Sequence, residues 1–361
     1  MGGTQTEPHP VPPLTRRLYG IDLARAAAFA GMLLAHYVSP HRRGEPGWLL
    51  AIDAGADGRA APLFCVLLGV GAGLLVARGT PDRVLARRGV ALLALGLAVW
   101  PLFGRVYLIL PQYGVLLAVV PLLRRLSNQA LLAGAAVAFV VPAAVAAVMD
   151  NHRLRAGVQP TSYGDLIDVG DVVRGLLWTG GYPLVGWVGF VLVGLWLARQ
   201  RLGERTVQVR LLAAGVVIAV LQPVLAWAAT RLGGDGPLAA AGGTATFFDG
   251  RAHSNRTAWY VFGTATAVAI LAAGLLVASS PTLGWRRPLV CLGQLALTAY
   301  LLHLLLGRQV VWDWNDRSMP SLPVQMGVVV AVLAGFAAAA TIWRARFRRG
   351  PVEGVLRVVT G

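Results

Sequence analysis

Between Arg16 and Ser39 the chain reads RRLYGIDLARAAAFAGMLLAHYVS, an apolar stretch that carries Asp22, Arg25 and His36. A charge deep in a bilayer costs roughly 2.5–3.5 kcal/mol on insertion scales, so charges inside a span turn toward a bundle interior and mark a site. On a helix the eleven steps from Arg25 to His36 return to nearly the same face, displaced by roughly 16 Å along the axis. Asp22 lies three residues before Arg25, a spacing at which side chains meet. One stripe then bears a carboxylate and a guanidinium at one end and an imidazole at the other. Arg25, steadied by Asp22, could hold an anionic or carbonyl group. His36 could remove a proton, since a neutral imidazole near pH 7 is the common general base. The plainer alternative is a structural ion pair near the headgroups, with His36 snorkelling to the other interface.

The elements that must position these groups are apolar spans. The chain has 361 residues, is 56% hydrophobic and only 13% charged. Its long apolar runs are apolar all round, unlike the one-sided helices of a soluble protein. The expectation is an all-α fold, a polytopic bundle of about ten transmembrane helices at 19–38, 60–77, 88–103, 106–123, 129–148, 183–199, 208–228, 257–279, 289–307 and 323–343. Residues 1–18 read as a disordered tail, 19–343 as one transmembrane domain with halves at about 19–148 and 183–343, and 344–361 as a basic tail. Arg16-Arg17 before an apolar run resembles an export signal, but the charges within the run and the missing cleavage site mark a retained first helix. The net charge of +16 comes entirely from arginine, spread between spans without a basic motif or aromatic platform, which speaks against nucleic acid. Arginine is concentrated on the side of the termini, so the positive-inside rule places both termini in the cytoplasm. Arg344, Arg346, Arg348 and Arg349 are chiefly such topology signals, and secondarily contacts for a phosphorylated ligand.

Further polar groups fall within or beside these spans. Gln112 follows Pro111, which would remove a backbone hydrogen bond and kink the fourth span. Gln112 itself is interhelical glue or part of a polar cavity. In the ninth span Tyr300 and His303 share a face, with Gln294 and Thr298 nearby. His253 and Ser254 precede the eighth. His36, His253 and His303 all fall near the outer face, which suggests one pocket. The 149–182 stretch reads as an outer loop, and Asp165, Asp168 and Asp171 in it as a solvated face rather than a metal site. No metal site is expected. Gly69, Gly71 and Gly73 suit close helix packing. Cys65 and Cys291 fall near opposite faces, which argues against a disulfide.

The Arg25-x10-His36 spacing, in a helix that opens with Asp22, resembles the signature of the acyltransferase-3 family, and Pro62-Leu-Phe to Gly69 resembles the second-helix segment of the superfamily that includes heparan-alpha-glucosaminide N-acetyltransferase. Leu68 stands where acyltransferase-3 members often have serine. Four stretches are closer to the YeiB-like bacterial membrane proteins, whose C-terminal half is domain of unknown function 418. They are Ile109 to Gly114; Gly181-Tyr-Pro-Leu-Val-Gly-Trp187 through Gly194 to Arg199; His253-Ser254; and Leu292 to Tyr300 followed by Phe347-Arg-Arg-Gly-Pro-Val-Glu353.

The resemblance implies acyl transfer, acetyl foremost, from cytoplasmic acyl-CoA as donor to a cell-envelope glycan or lipid-linked acceptor. Arg25 would meet a CoA phosphate or the thioester carbonyl, with Asp22 orienting it, and His36 would be the base. His253, Ser254 and His303 would line the acceptor side, with Gln112, Tyr300, Tyr182 and Trp187 as further candidates. The partners implied are the bilayer, acyl-CoA and the acceptor, with a homodimer left open. The main rival is a transporter or permease whose path is lined by the first helix; a scaffold that has lost its chemistry is the third reading.

Overall fold

The computed structural model describes residues 18–38, 46–103, 106–148, 162–232, 254–279, 284–310 and 320–361. Among these residues the regular structure is helical throughout. The first six α-helices are α1 (Tyr19–Tyr37), α2 (Gly47–Ala56), α3 (Ala60–Ala77), α4 (Asp82–Val99), α5 (Leu110–Leu123) and α6 (Asn128–Val148). Then come α7 (Val169–Arg174), α8 (Leu184–Ala198), α9 (Arg205–Leu232) and α10 (Thr257–Val277). The last four are α11 (Arg287–Gln294), α12 (Ala296–Val310), α13 (Leu322–Arg346) and α14 (Pro351–Thr360).

All ten expected segments fall on helices. Among the described residues five helices are long and apolar enough to cross a membrane: α3, α4 with its 3-10 turn to Phe103, α9 over Arg205–Gln222, α10 and α13. The count rises to seven if each of two bent pairs is one span. The π-turn after α7 and the helix α8 meet at 55°, and α11 and α12 at 77°. Three segments remain outside this count: α1, whose mean hydropathy is lowered by Asp22, Arg25 and His36, and the shorter apolar helices α5 and Asn128–Pro142. The α9 surface leaves Val216, Val217, Val220 and Val224 exposed, as a lipid-facing helix requires.

Several local expectations change. Pro111 does not kink a span: α5 begins at Leu110, so Pro111 stands in the first turn, where the missing N–H is an orphan in any case. The α9 backbone stays helical through Pro223. The connection before α3 contains α2, and within the expected 149–182 loop helical turns stand at Tyr163–Leu166, Val169–Arg174 and Gly175–Thr179. There Asp165 and Asp168 cap helical turns and Asp171 pairs with Arg174, all on the surface. The first tail, 1–17, lies outside the described residues.

The first helix is the hub of the bundle. It packs against α3, α10, α11, α12 and α13 with Ala24, Ala28, Phe29 and Leu33 buried, and Gly20 lets the α10 backbone approach closely, since a Cβ there would lie 2.4 Å from the Leu275 Cα. On the far side of α3, α8 crosses at Gly69 and Gly194. A Cβ on Gly194 would sit 2.2 Å from the Val66 carbonyl oxygen, and one on Gly69 would sit 2.3 Å from that of Val191. Arg199, at the end of α8, donates to the carbonyls of Arg124 and Leu126 and so closes the α5–α6 turn. Gly194→Ala is expected to force α3 and α8 apart and cost about 1–3 kcal/mol, as overpacking of a tight interior does; thermal unfolding in detergent measures it, and an unchanged midpoint would contradict the crossing.

Candidate active site

Two levels of polar contact tie α1 to α11 and α12. At the lower level Asp22 is 2% exposed, and a buried carboxylate requires partners. Arg25 Nη1 donates to Asp22 Oδ1 at 2.9 Å, and Gln294 Nε2, at the end of α11, donates to Oδ2 at 3.3 Å. Helix α11 comes this close because residue 293 is glycine: a Cβ there would lie 1.8 Å from the Asp22 carbonyl oxygen. The Arg25 side chain keeps 29% of its surface accessible, so its guanidinium has area left for a ligand.

At the upper level His36 Nδ1 and His303 Nε2 are 3.0 Å apart, with the rings stacked at 13° and 5.2 Å between centroids. His303 is fully buried. Its ring is boxed by Phe29 edge-on at 5.7 Å and by Tyr300 at 5.5 Å, and Tyr37 Oη donates to the His303 carbonyl at 2.7 Å. His303 Nδ1 faces the Ala299 and Tyr300 carbonyls of its own helix without reaching good hydrogen-bond geometry.

His36 is also part of the wall of a cavity of about 340 Å³, together with Phe64, Tyr107, Tyr182, Tyr300 and Asp57. The size, and a lining in which polar groups stand among apolar side chains, suit a small ligand or the reactive end of a larger one. Asp57 stands exposed at the turn between α2 and α3. Next to it Arg59 stacks over the Phe262 ring at 3.9 Å, and burial pushes its guanidinium down to about 10 against the pull of Asp57.

Of the three histidines expected to share one pocket, His36 and His303 meet, with Tyr300 against the His303 ring, although His303 is not in the cavity wall that His36 and Tyr300 line. Asp22 and Arg25 meet as their spacing implies. His253 lies outside the described residues, and Ser254 is described but is not in the cavity wall. Gln112 is buried in α5, also away from the cavity wall. Tyr182 is in the wall and donates to the Tyr107 carbonyl at 3.2 Å. Trp187 is packed among Tyr182, Phe190 and Trp259 and donates to Asn255 Oδ1, as a core tryptophan does. Sequence reasoning did not pick out Asp57, which it read as part of the loop before the second span, or Tyr107, which it read as the start of the fourth span, and it placed Gln294 on the ninth span without a partner.

Asp22→Ala leaves Arg25 inside the bundle without its carboxylate. The expected loss is about 3 kcal/mol, the low end for a broken buried pair because Arg25 is partly accessible. The double variant Asp22→Ala/Arg25→Ala is expected to lose less than the two single changes together. Thermal unfolding in detergent gives both values, and strictly additive losses would contradict the coupling.

Comparison with known families divides the chain in two. A family model described as heparan-alpha-glucosaminide N-acetyltransferase, catalytic, matches residues 17–224, and one described as protein of unknown function (DUF418) matches residues 205–361. No curated protein matches the chain. The first match contains Asp22, Arg25 and His36, and the second contains Gln294 and His303, so both polar levels are built across the two matched segments. With the first match covering more than half of its length, the chain belongs to the heparan-alpha-glucosaminide N-acetyltransferase catalytic family and is a multi-pass membrane protein whose C-terminal segment is the YeiB-like DUF418 domain.

Proposed function

We propose that this protein transfers an acyl group, acetyl foremost, from acyl-CoA to a hydroxyl or amine of a cell-envelope glycan or lipid-linked acceptor, with His36 as general base. The carrying observation is that His36, which lines the cavity, is paired with the buried His303. If His303 keeps its proton on Nδ1, toward the carbonyls of its own helix, its Nε2 is an acceptor. His36 then donates from Nδ1, which makes Nε2 its basic nitrogen. A base held in one tautomer by a second group is the arrangement that general-base catalysis uses. The acceptor O–H or N–H loses its proton to His36 Nε2 as its heteroatom bonds to the thioester carbon. The C–S bond breaks, and the CoA thiolate leaves and is protonated.

Arg25 cannot touch the same reacting carbonyl. It stands roughly 16 Å from His36 along α1, so its part is to hold the donor's arm or a phosphate farther down. Asp22 orients it. The arginine bias places the Arg25 end and both termini toward the cytoplasm, where acyl-CoA is found, and the His36 end toward the acceptor. The family match supports acetyl transfer and offers nothing for a permease.

The test is acetyl-CoA binding to the purified protein, with transfer of labelled acetyl into envelope glycans and lipids in membranes containing it. Arg25→Ala is expected to weaken acetyl-CoA binding about tenfold, the loss of one charge-assisted contact. His36→Ala is expected to bind as wild type but to lose transfer by about 10²–10⁴-fold. His303→Ala, acting through His36, is expected to lower kcat and shift its pH profile while leaving the acetyl-CoA KM unchanged. Wild-type transfer rates in His36→Ala would overturn the reading.

A further inference from the structure

We infer that a second concavity, at the carboxyl-terminal end of the fold, binds a phosphate-bearing anion. Given the function proposed above, its occupant is the nucleotide phosphate end of the acyl-CoA donor. The cavity is about 460 Å³ and is lined by Arg344, Arg348, Arg349, Arg357, Glu353 and Gln294. Helix α13 contributes Arg344, α14 contributes Glu353 and Arg357, and the loop between them contributes Arg348 and Arg349.

The one carboxylate in that lining is already occupied. Glu353 Oε1 accepts from the backbone N–H groups of Leu297 and Thr298 at 2.9 and 3.1 Å, and Oε2 accepts from Thr298 Oγ1. Glu353 thus caps the start of α12, where a negative charge is favoured, and fastens α14 to it. It has little left with which to neutralise four guanidinium groups. Arg88 of α4 adds to the surplus, standing near enough to Arg349 and Arg357 for their charges to repel. Arg344 Nε is buried without a hydrogen-bond partner. Arginine clusters of this kind match the oxygens of a phosphate ester, which accept bidentate hydrogen bonds.

The arginine-bearing loop is held in place rather than left to drape over the surface. Arg344 Nη1 donates to the carbonyls of Phe347 and Arg348, and Trp343 Nε1 donates to that of Arg349 at 2.7 Å. Gly350 lets the chain pass against Glu353 and Thr298, where a Cβ would lie 2.1 Å from Glu353 Oε2. The pocket also points inward. Gln294 in its lining is the residue that donates to Asp22, which in turn holds Arg25. A phosphate seated here would therefore stand one side chain away from the lower polar level of the bundle. That connection favours a soluble nucleotide whose arm enters the protein over an anionic lipid headgroup, which presents the same phosphate chemistry from the leaflet.

The experiment measures binding of adenosine 3′,5′-bisphosphate to the full chain in detergent, and its competition with acetyl-CoA. Wild type is expected to bind the bisphosphate and to release it when acetyl-CoA is added. Arg348→Gln/Arg357→Gln is expected to weaken binding at least tenfold, and Arg348→Lys/Arg357→Lys to recover part of the loss with an unchanged melting temperature. No binding by folded wild type, or equal binding by the Gln variant, overturns the proposal. Vesicles containing phosphatidic acid form the second arm. If they displace the bisphosphate and acetyl-CoA does not, the phosphate site stands and its assignment to the donor is overturned. Bisphosphate binding needs no acceptor and no transfer. An Arg-dependent site in a protein without acetyl transfer therefore overturns the acyltransferase reading alone, while undiminished transfer with unaltered binding in the Gln variant overturns the pocket alone.

Discussion

Burial of the Asp22 carboxylate is the constraint on which the rest of the arrangement depends. A carboxylate removed from solvent needs a cation and hydrogen-bond donors, and the surrounding helices are placed to supply them. Arg25 comes from the same helix one turn on, and Gln294 from α11, which reaches Asp22 because Gly293 lets its backbone lie against the Asp22 carbonyl. With α11 seated there, the 77° bend into α12 sends that helix along α1 and brings His303 to His36. One buried charge thus sets the position from which the upper level follows.

The break between α11 and α12 has its own support. The first N–H groups of a helix have no partner within it, and inside a bundle they must find one elsewhere. Here the partner is Glu353, more than fifty residues later in the chain, whose carboxylate takes the amides of Leu297 and Thr298. The C-terminal helix α14 is therefore structural: it caps the broken span and carries Arg357, close behind the loop arginines Arg348 and Arg349. Its Val355, Val358 and Val359 remain exposed, an apolar side of the kind that helices lying on a membrane surface have.

The division of the chain between two family descriptions hides a single unit. The acetyltransferase-like segment brings Asp22, Arg25 and His36; Asp22 and His36 are each met by a side chain from the other segment, and Arg25 is held through Asp22. Tyr37 makes the same connection, donating to the His303 carbonyl. Such mutual dependence gives a physical reason for the two segments to occur in one chain: neither encloses the polar residues of α1 alone.

The sequence by itself determined what does not need a neighbour. Apolar runs specify helices long enough to insert in a membrane, and helical spacing specifies that Asp22 meets Arg25 while His36 lies farther along the same stripe. The heights of His36, Tyr300 and His303 were legible for the same reason, since depth follows from position within a span. Rotation about the bundle was not, because the runs are apolar all round and show no preferred face. Only the tertiary structure decided that His303 turns to His36, that Gln294 reaches Asp22, that Gln112 stays apart and that Pro111 starts a helix instead of bending one. It likewise turned a tail of arginines into a walled pocket, because the contact that folds it, Glu353 on the start of α12, joins residues whose pairing no local pattern records.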